Sequence, residues 1–275
     1  MAARSILAFS VLSVIATFVA CGTDDPEGGD SPSGDGGSSS REDGAAVADA
    51  TPDTSPGPED AGADTASETP DAAWVGPDGG IAGAMNFFVT SRGKGSGGDF
   101  RANPSDADGL AGADAFCKSL AEAVSPVLGA KTWRAYLSTA TVTARSRIGN
   151  GPWINAKGVV IATSTAILHD EGATNALSLE TNLDEYGNQV SIMSPNVHDI
   201  LTGATAAGGS AAAHCANWTS SATNTSGQVG HSNRNGGGAA RTSWNSAHAS
   251  AGCAEMGANS VRSGGGRGSI YCFAN

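Results

Sequence analysis

The chain lacks a Cys-x-x-Cys pair, a Cys/His finger spacing, a Gly-x-Ser-x-Gly elbow, a His-Glu-x-x-His pair and a glycine loop closed by Gly-Lys-Ser/Thr. These absences argue against a thioredoxin-like redox centre, a zinc finger, an elbow-type hydrolase, a zincin and a phosphate loop. The uncharged apolar run at residues 6–20 is 15 residues long, whereas a helix needs about 20 to span a bilayer. Positive charge is missing from a long stretch: between residues 22 and 80 Arg41 is the one basic residue against 15 acidic ones. Large apolar residues are equally scarce there, with Val47, Trp74 and Val75 alone.

What is present begins with a leader. Arg4 supplies a positive start, the apolar run follows, and Phe18-Val19-Ala20 precedes Cys21. This is the layout of an export signal. Small or apolar residues followed by cysteine resemble the lipobox of bacterial lipoproteins, with Phe18 where leucine is usual. The resemblance implies cleavage after residue 20 and a diacylglyceride on Cys21. Each buried methylene adds about 0.8 kcal/mol, and two or three acyl chains hold a domain at a membrane. Gly22, where enteric-type bacteria use Asp for inner-membrane retention, implies the outer membrane and the cell surface, with the periplasmic face as the alternative.

Residues 21–80 read as a disordered acidic linker. Ala, Gly, Ser, Thr, Pro, Asp and Glu cannot bury enough apolar area to offset the entropy of ordering. Pro52, Pro56, Pro58, Pro70 and Pro77 block regular pairing. The linker's net charge of −14 exceeds the −12 of the whole chain. The remaining domain, residues 81–275, is therefore nearly neutral, and the low isoelectric point says nothing about its ligand. A flexible chain of this length reaches roughly 40 Å, so the linker is a spacer.

The domain carries Cys117, Cys215, Cys253 and Cys272. An even count in an exported chain predicts two disulfides, and spacing alone leaves three pairings open. The segment AMNFFVTS predicts a first strand. In GLAGADAFCKSLAEAVSPV the apolar residues 110, 113, 116, 117, 120, 121 and 124 recur at the helical period, with Asp108 as N-cap and Pro126 as the stop. Cys117 on that apolar stripe predicts a partner strand beneath the helix. WRAYL reads as a second strand and GPWINAKGVVIA as two strands around a Lys157-Gly158 turn. Residues 163–209 read as large polar surface loops, and Ile270–Phe273 as a terminal strand carrying Cys272.

FFVTS, GLAGADAFCKSLA, KTWRAYLST, CANWTS and IYCF together resemble the endostatin-type module, a variant of the C-type lectin-like fold, found also in bacterial lipoproteins. The resemblance spans residues 81–275 with divergent middle loops. It implies an α+β, C-type lectin-like domain with two disulfides. It further implies the pairs Cys117–Cys272 and Cys215–Cys253, with the first and last strands side by side and antiparallel. The chain departs from the family in its sites. No histidine stands between residues 81 and 100 for the N-terminal zinc of vertebrate modules. No arginine-rich heparin face exists beyond Arg134, Arg145 and Arg147. Ser194-Pro195-Asn196 and Trp244-Asn245-Ser246 lack the carboxylates that hold calcium in sugar-binding lectins.

The candidate ligand platform is Trp218, Trp244, Asn217 and Asn245, aromatic faces beside amide donors, weighed against tryptophans that serve as core or cover the disulfides. His169-Asp170-Glu171 and His198-Asp199 have the composition of acid/base or metal clusters, and His214 and His248 lie near Cys215 and Cys253. Loop polarity is the preferred reading of the His169-Asp170-Glu171 and His198-Asp199 clusters, and no metal, cofactor or catalytic residue is expected. The expected function is a membrane-anchored surface lipoprotein displaying a lectin-like binding or adhesion module. Its partners would be the bilayer, through acylated Cys21, and a carbohydrate or a surface or matrix protein, with no nucleic acid. A structural envelope lipoprotein without a small ligand is the alternative, and an enzyme acting on envelope or extracellular polymers ranks below both.

Overall fold

A computed structural model describes residues 83–171, 175–236 and 240–275. The leader, Cys21 and the whole of the linker lie outside them. Among the described residues no helix is long and apolar enough to cross a membrane.

The architecture is α+β, built around the last strand. Strand β1 is Phe87–Val89, helix α1 is Leu110–Val124, helix α2 is Pro126–Gly129 and strand β2 is Trp133–Ala135. Helix α3 (Ala144–Arg147), the hairpin β3 (Trp153–Ile154) and β4 (Val160–Ala162), and helix α4 (Thr165–Leu168) follow. The chain then forms β5 (Asp199–Leu201), β6 (Gln228–His231), β7 (His248–Ala249) and β8 (Gly266–Ala274). Six strands make one sheet in the order β1-β8-β5-β6-β7, with β2 also on β8. β1 and β8 are antiparallel neighbours, Phe88 opposite Cys272. β2 pairs with the C-terminal half of β8, while β5 runs parallel to its N-terminal half.

The alternation of β8 sorts the core into two layers, because successive side chains leave opposite faces of a strand. Ile270, Cys272 and Ala274 join Phe88, Trp133 and the apolar stripe of α1 on one face. Tyr271 and Phe273 join Phe87, Val89, Tyr136, Trp153 and Trp244 on the other. Each fully buried aromatic or aliphatic side chain contributes about 1.5–3 kcal/mol.

The N-cap of helix α1 is Gly109 rather than Asp108, whose Oδ1 accepts the Leu110 N–H at 2.9 Å from one residue further out. The helix ends at Ser125, whose hydroxyl accepts from Val127 N and so caps α2, with Pro126 at that helix's first position. Asp114 on α1 fastens it to the sheet. Its carboxylate accepts two bonds from Arg147 (2.7 and 2.8 Å), one from Arg134 (2.8 Å) and one from Ala135 N (2.8 Å).

The disulfides are Cys117–Cys272, tying α1 to β8 with Cα atoms 5.7 Å apart, and Cys215–Cys253, 5.8 Å apart. The first closes a separation of 155 residues. Chain entropy gives such a link about 3–5 kcal/mol.

Two local findings depart from expectation. Residues 163–209 are not loops throughout: they contain α4 and the wholly buried strand β5. β5 is only three residues long and begins with a carboxylate, so no alternating pattern marks it. Second, Cys215–Trp218 is a left-handed turn, with φ of 45, 52, 60 and 64° at four successive non-glycine residues. This conformation costs roughly 1–2 kcal/mol per residue. The disulfide at Cys215 holds it, as do the Trp218 indole N–H donating to Ser138 O (2.7 Å), Asn217 N donating to His214 Nδ1 (2.9 Å) and Gly109 N donating to Asn217 O (2.9 Å).

Candidate metal centre

Of the four residues proposed as a ligand platform, three are interior and Asn217 is half-buried. Trp218, Trp244 and Asn245 have no exposed surface. Trp218 packs edge-on to Phe100, and Trp244 packs against Tyr136 and Tyr271. Asn217 Oδ1 accepts from Ala140 N at 2.9 Å. Asn245 Nδ2 donates to the Tyr136 hydroxyl at 2.9 Å. The two tryptophan faces and the Asn245 amide are thus turned to the protein interior, where buried aromatic rings supply large apolar area.

Asn245 belongs to a buried polar chain. The His169 Nδ1–H donates to Thr165 O (2.7 Å), so its Nε2 accepts the Tyr136 hydroxyl proton (2.8 Å). Burial holds the His169 imidazole below its usual pKa and pushes the Tyr136 phenol up. Glu171 accepts from Ser243 Oγ at 2.8 Å and faces Arg234 at 3.4 Å. His169 and Glu171 thus serve this chain, and His214 serves the left-handed turn.

The other three histidines meet at one carboxylate oxygen. Asp199 Oδ1 lies 3.3 Å from His198 Nε2, 3.4 Å from His231 Nε2 and 3.6 Å from His248 Nε2. Sheet register makes this meeting. Asp199 on β5 stands directly opposite His231 on β6, and His248 on β7 stands opposite Val229, two residues before His231. Opposite and diagonal cross-strand neighbours share a face. His198 adds a ring stacked on His231, centroids 4.5 Å apart.

The hydrogen bonds on the far side of each ring fix what faces inward. His231 Nδ1 meets Arg241 O at 2.9 Å, and His248 Nδ1 meets Ala249 O at 3.0 Å. His198 Nδ1 meets Asn233 Oδ1 at 3.0 Å, an atom that also accepts from Asn235 N and is therefore the amide oxygen. Each Nδ1 faces an acceptor and must carry the proton. In a neutral ring each Nε2 then presents a lone pair. Three nitrogen lone pairs and a carboxylate oxygen thus converge in a nearly dry place: the side chains of His198, Asp199 and His231 are 9, 3 and 0% exposed. Asp199 Oδ1 and His231 Nε2 are buried without a hydrogen-bond partner. Such groups cost about 1–3 kcal/mol each, more when charged.

Protons relieve this only in part. Asp199 beside His248 raises that imidazole's pKa, which favours one ion pair at the half-buried edge. Burial pushes His231 the other way, towards the neutral ring. A cation would satisfy the donors of His198, Asp199 and His231 together, with His248 at the rim, 3.6 Å from the shared carboxylate oxygen. Tetrahedral zinc with ligand bonds of about 2.0–2.1 Å separates its donors by roughly 3.3–3.4 Å, close to the observed carboxylate-to-imidazole spacings. The donor atoms of His198, Asp199 and His231 all lie within 4.8 Å of one another. Outer-sphere acceptors on each Nδ1 are the second feature of histidine metal sites.

Glycine makes the room. A β-carbon on Gly236, whose φ is 149°, would stand 2.6 Å from His231 Cε1 and 2.9 Å from His198 Cε1.

His198-Asp199 was visible in the sequence as a cluster, but its partners lie 32 and 49 residues beyond Asp199, on strands whose register no spacing rule supplies. No protein-family model matches the chain, and no curated protein matches it.

Proposed function

We propose that this chain is an exported, tether-borne envelope lipoprotein whose C-terminal domain binds one divalent transition-metal ion through His198, Asp199, His231 and His248. The observation that carries the metal reading is the convergence of three imidazole Nε2 atoms on one buried carboxylate oxygen, with His231 Nε2 and Asp199 Oδ1 left without a hydrogen-bond partner. An N₃O donor set suits Zn²⁺, with Co²⁺, Ni²⁺ and Cu²⁺ as chemical relatives, and disfavours the oxygen-seeking Ca²⁺ and Mg²⁺.

The lipid anchor on Cys21 and the acidic linker supply the setting, lifting the domain from the membrane. The α+β architecture, the pairing of first and last strands and both disulfides support the lectin-like reading of the domain. Its binding role then centres on the ion and the surface around it, since the tryptophan platform is buried. Calorimetric titration of the purified, disulfide-intact chain with Zn²⁺ tests this. One ion per chain is expected, lost in His231→Ala and Asp199→Ala. Binding that is absent, or unchanged in both variants, refutes it.

A further inference from the structure

The four ligands are not equivalent. His198, Asp199 and His231 are 9, 3 and 0% exposed, whereas the His248 side chain is 31% exposed. Their supports differ in the same order. The His198 ring is held by Asn233 and the His231 ring by Arg241, both in the segment after β6. The His248 Nδ1 meets the carbonyl of its own neighbour, Ala249, at 3.0 Å. β7 has two residues and is the terminal strand of the sheet. The tight donor trio does not include His248, which reaches Asp199 Oδ1 at 3.6 Å and meets the His231 ring edge-on, centroids 5.0 Å apart.

We infer that His248 is the exchangeable ligand of the metal centre, a gate on the β7 edge through which the ion passes to and from an external chelating acceptor. This inference rests on the metal reading above. Three rigid, buried donors select and hold the ion. Rotation of the His248 ring breaks its Nε2–metal bond and opens one coordination position toward solvent. A nitrogen or oxygen lone pair of the acceptor forms the replacing bond. The exchange is ligand substitution throughout: the metal keeps its oxidation state, and no other covalent bond changes. A structural zinc site is closed by four protein ligands, whereas an open site keeps one position exchangeable. This one buries three, so the ion can be captured and handed on.

The test is stopped-flow transfer of Co²⁺ from the loaded full chain to excess EDTA, followed by the visible spectrum. Wild type is expected to show the intense bands of four-coordinate cobalt. His248→Ala should still bind one ion, with a weaker spectrum of higher coordination number as water fills the gap. Its release should be faster by about tenfold or more, since even outer-sphere partners change affinity about 10–100-fold. Added imidazole should restore both the spectrum and the slower release. His231→Ala should bind no cobalt. His248→Gln, which keeps the size of the side chain, guards against a folding defect and should behave as His248→Ala. Release at the wild-type rate in both His248 variants would overturn the gate while leaving the metal centre standing, as would complete loss of binding in both with the fold intact. A wild-type chain that takes up no cobalt would overturn both.

Discussion

Asp199→Asn separates a metal centre from a structural ion pair. The substitution keeps the shape of a side chain that is 3% exposed and removes its charge. In the metal-free wild type, Asp199 Oδ1 faces three imidazole Nε2 atoms at 3.3–3.6 Å and His231 Nε2 has no donor. An amide nitrogen in place of that oxygen brings two N–H donors to those lone pairs. A hydrogen bond contributes about 1 kcal/mol, and relief of an unsatisfied buried group about 1–3 kcal/mol. Against this stands the lost attraction to His248, small at a partly exposed edge. Asp199→Asn in EDTA should therefore match or exceed wild type, to within about 2 kcal/mol. Zinc should act oppositely. At a free concentration 1,000 times the dissociation constant, binding stabilises wild type by about 4 kcal/mol. For a domain of this size that is a Tm increase of roughly 8–16 °C, and Asp199→Asn should show almost none. Calorimetric melts of both proteins in EDTA and in zinc measure all four states. A variant well below wild type in EDTA, with no zinc response in either protein, would refute the reasoning and make the cluster a structural ion pair.

Asp114→Ala should destabilise the chain by about 3–5 kcal/mol, because it strands the 9%-exposed Arg147 guanidinium; urea midpoints check this, and a loss under 1 kcal/mol contradicts it. Replacing Cys117 and Cys272 together by Ala should cost about 2–5 kcal/mol by the same measurement, and an unchanged midpoint would contradict the role given to that link. His169 is buried and its folded pKa lies below the unfolded value near 6.5. The unfolded chain therefore binds the proton first, so this group's contribution is intact above about pH 6.5 and is lost as pH falls. His169→Gln should flatten the decline in stability between pH 7.5 and 5 relative to wild type, and parallel curves would contradict this.

Much of the fold was legible because the elements that carry it are patterned. The α1 stripe has seven apolar positions at helical spacing, the Lys157-Gly158 hairpin has its turn residues, and Phe87-Phe88-Val89 is aromatic and β-branched. The disulfide pairing followed from resemblance rather than spacing. What escaped notice depends on tertiary register. β5 is too short to show a period, and the left-handed turn at 215–218 runs against the preferences of its own residues. Trp218, Trp244, Asn217 and Asn245 had the chemistry of a binding face, yet residue type does not reveal which side of a loop is inside. His198, Asp199, His231 and His248 come together because β6 lies between β5 and β7, an order the sequence does not spell out.

Zinc K-edge X-ray absorption on the purified chain tests the central claim most directly. One ion per chain, in a shell of nitrogen and oxygen at about 2.0–2.1 Å with the outer scattering of three imidazoles, is the predicted spectrum, and it should vanish in His231→Ala. Substoichiometric zinc, a shell of water oxygen alone, or a spectrum indifferent to that substitution would contradict it.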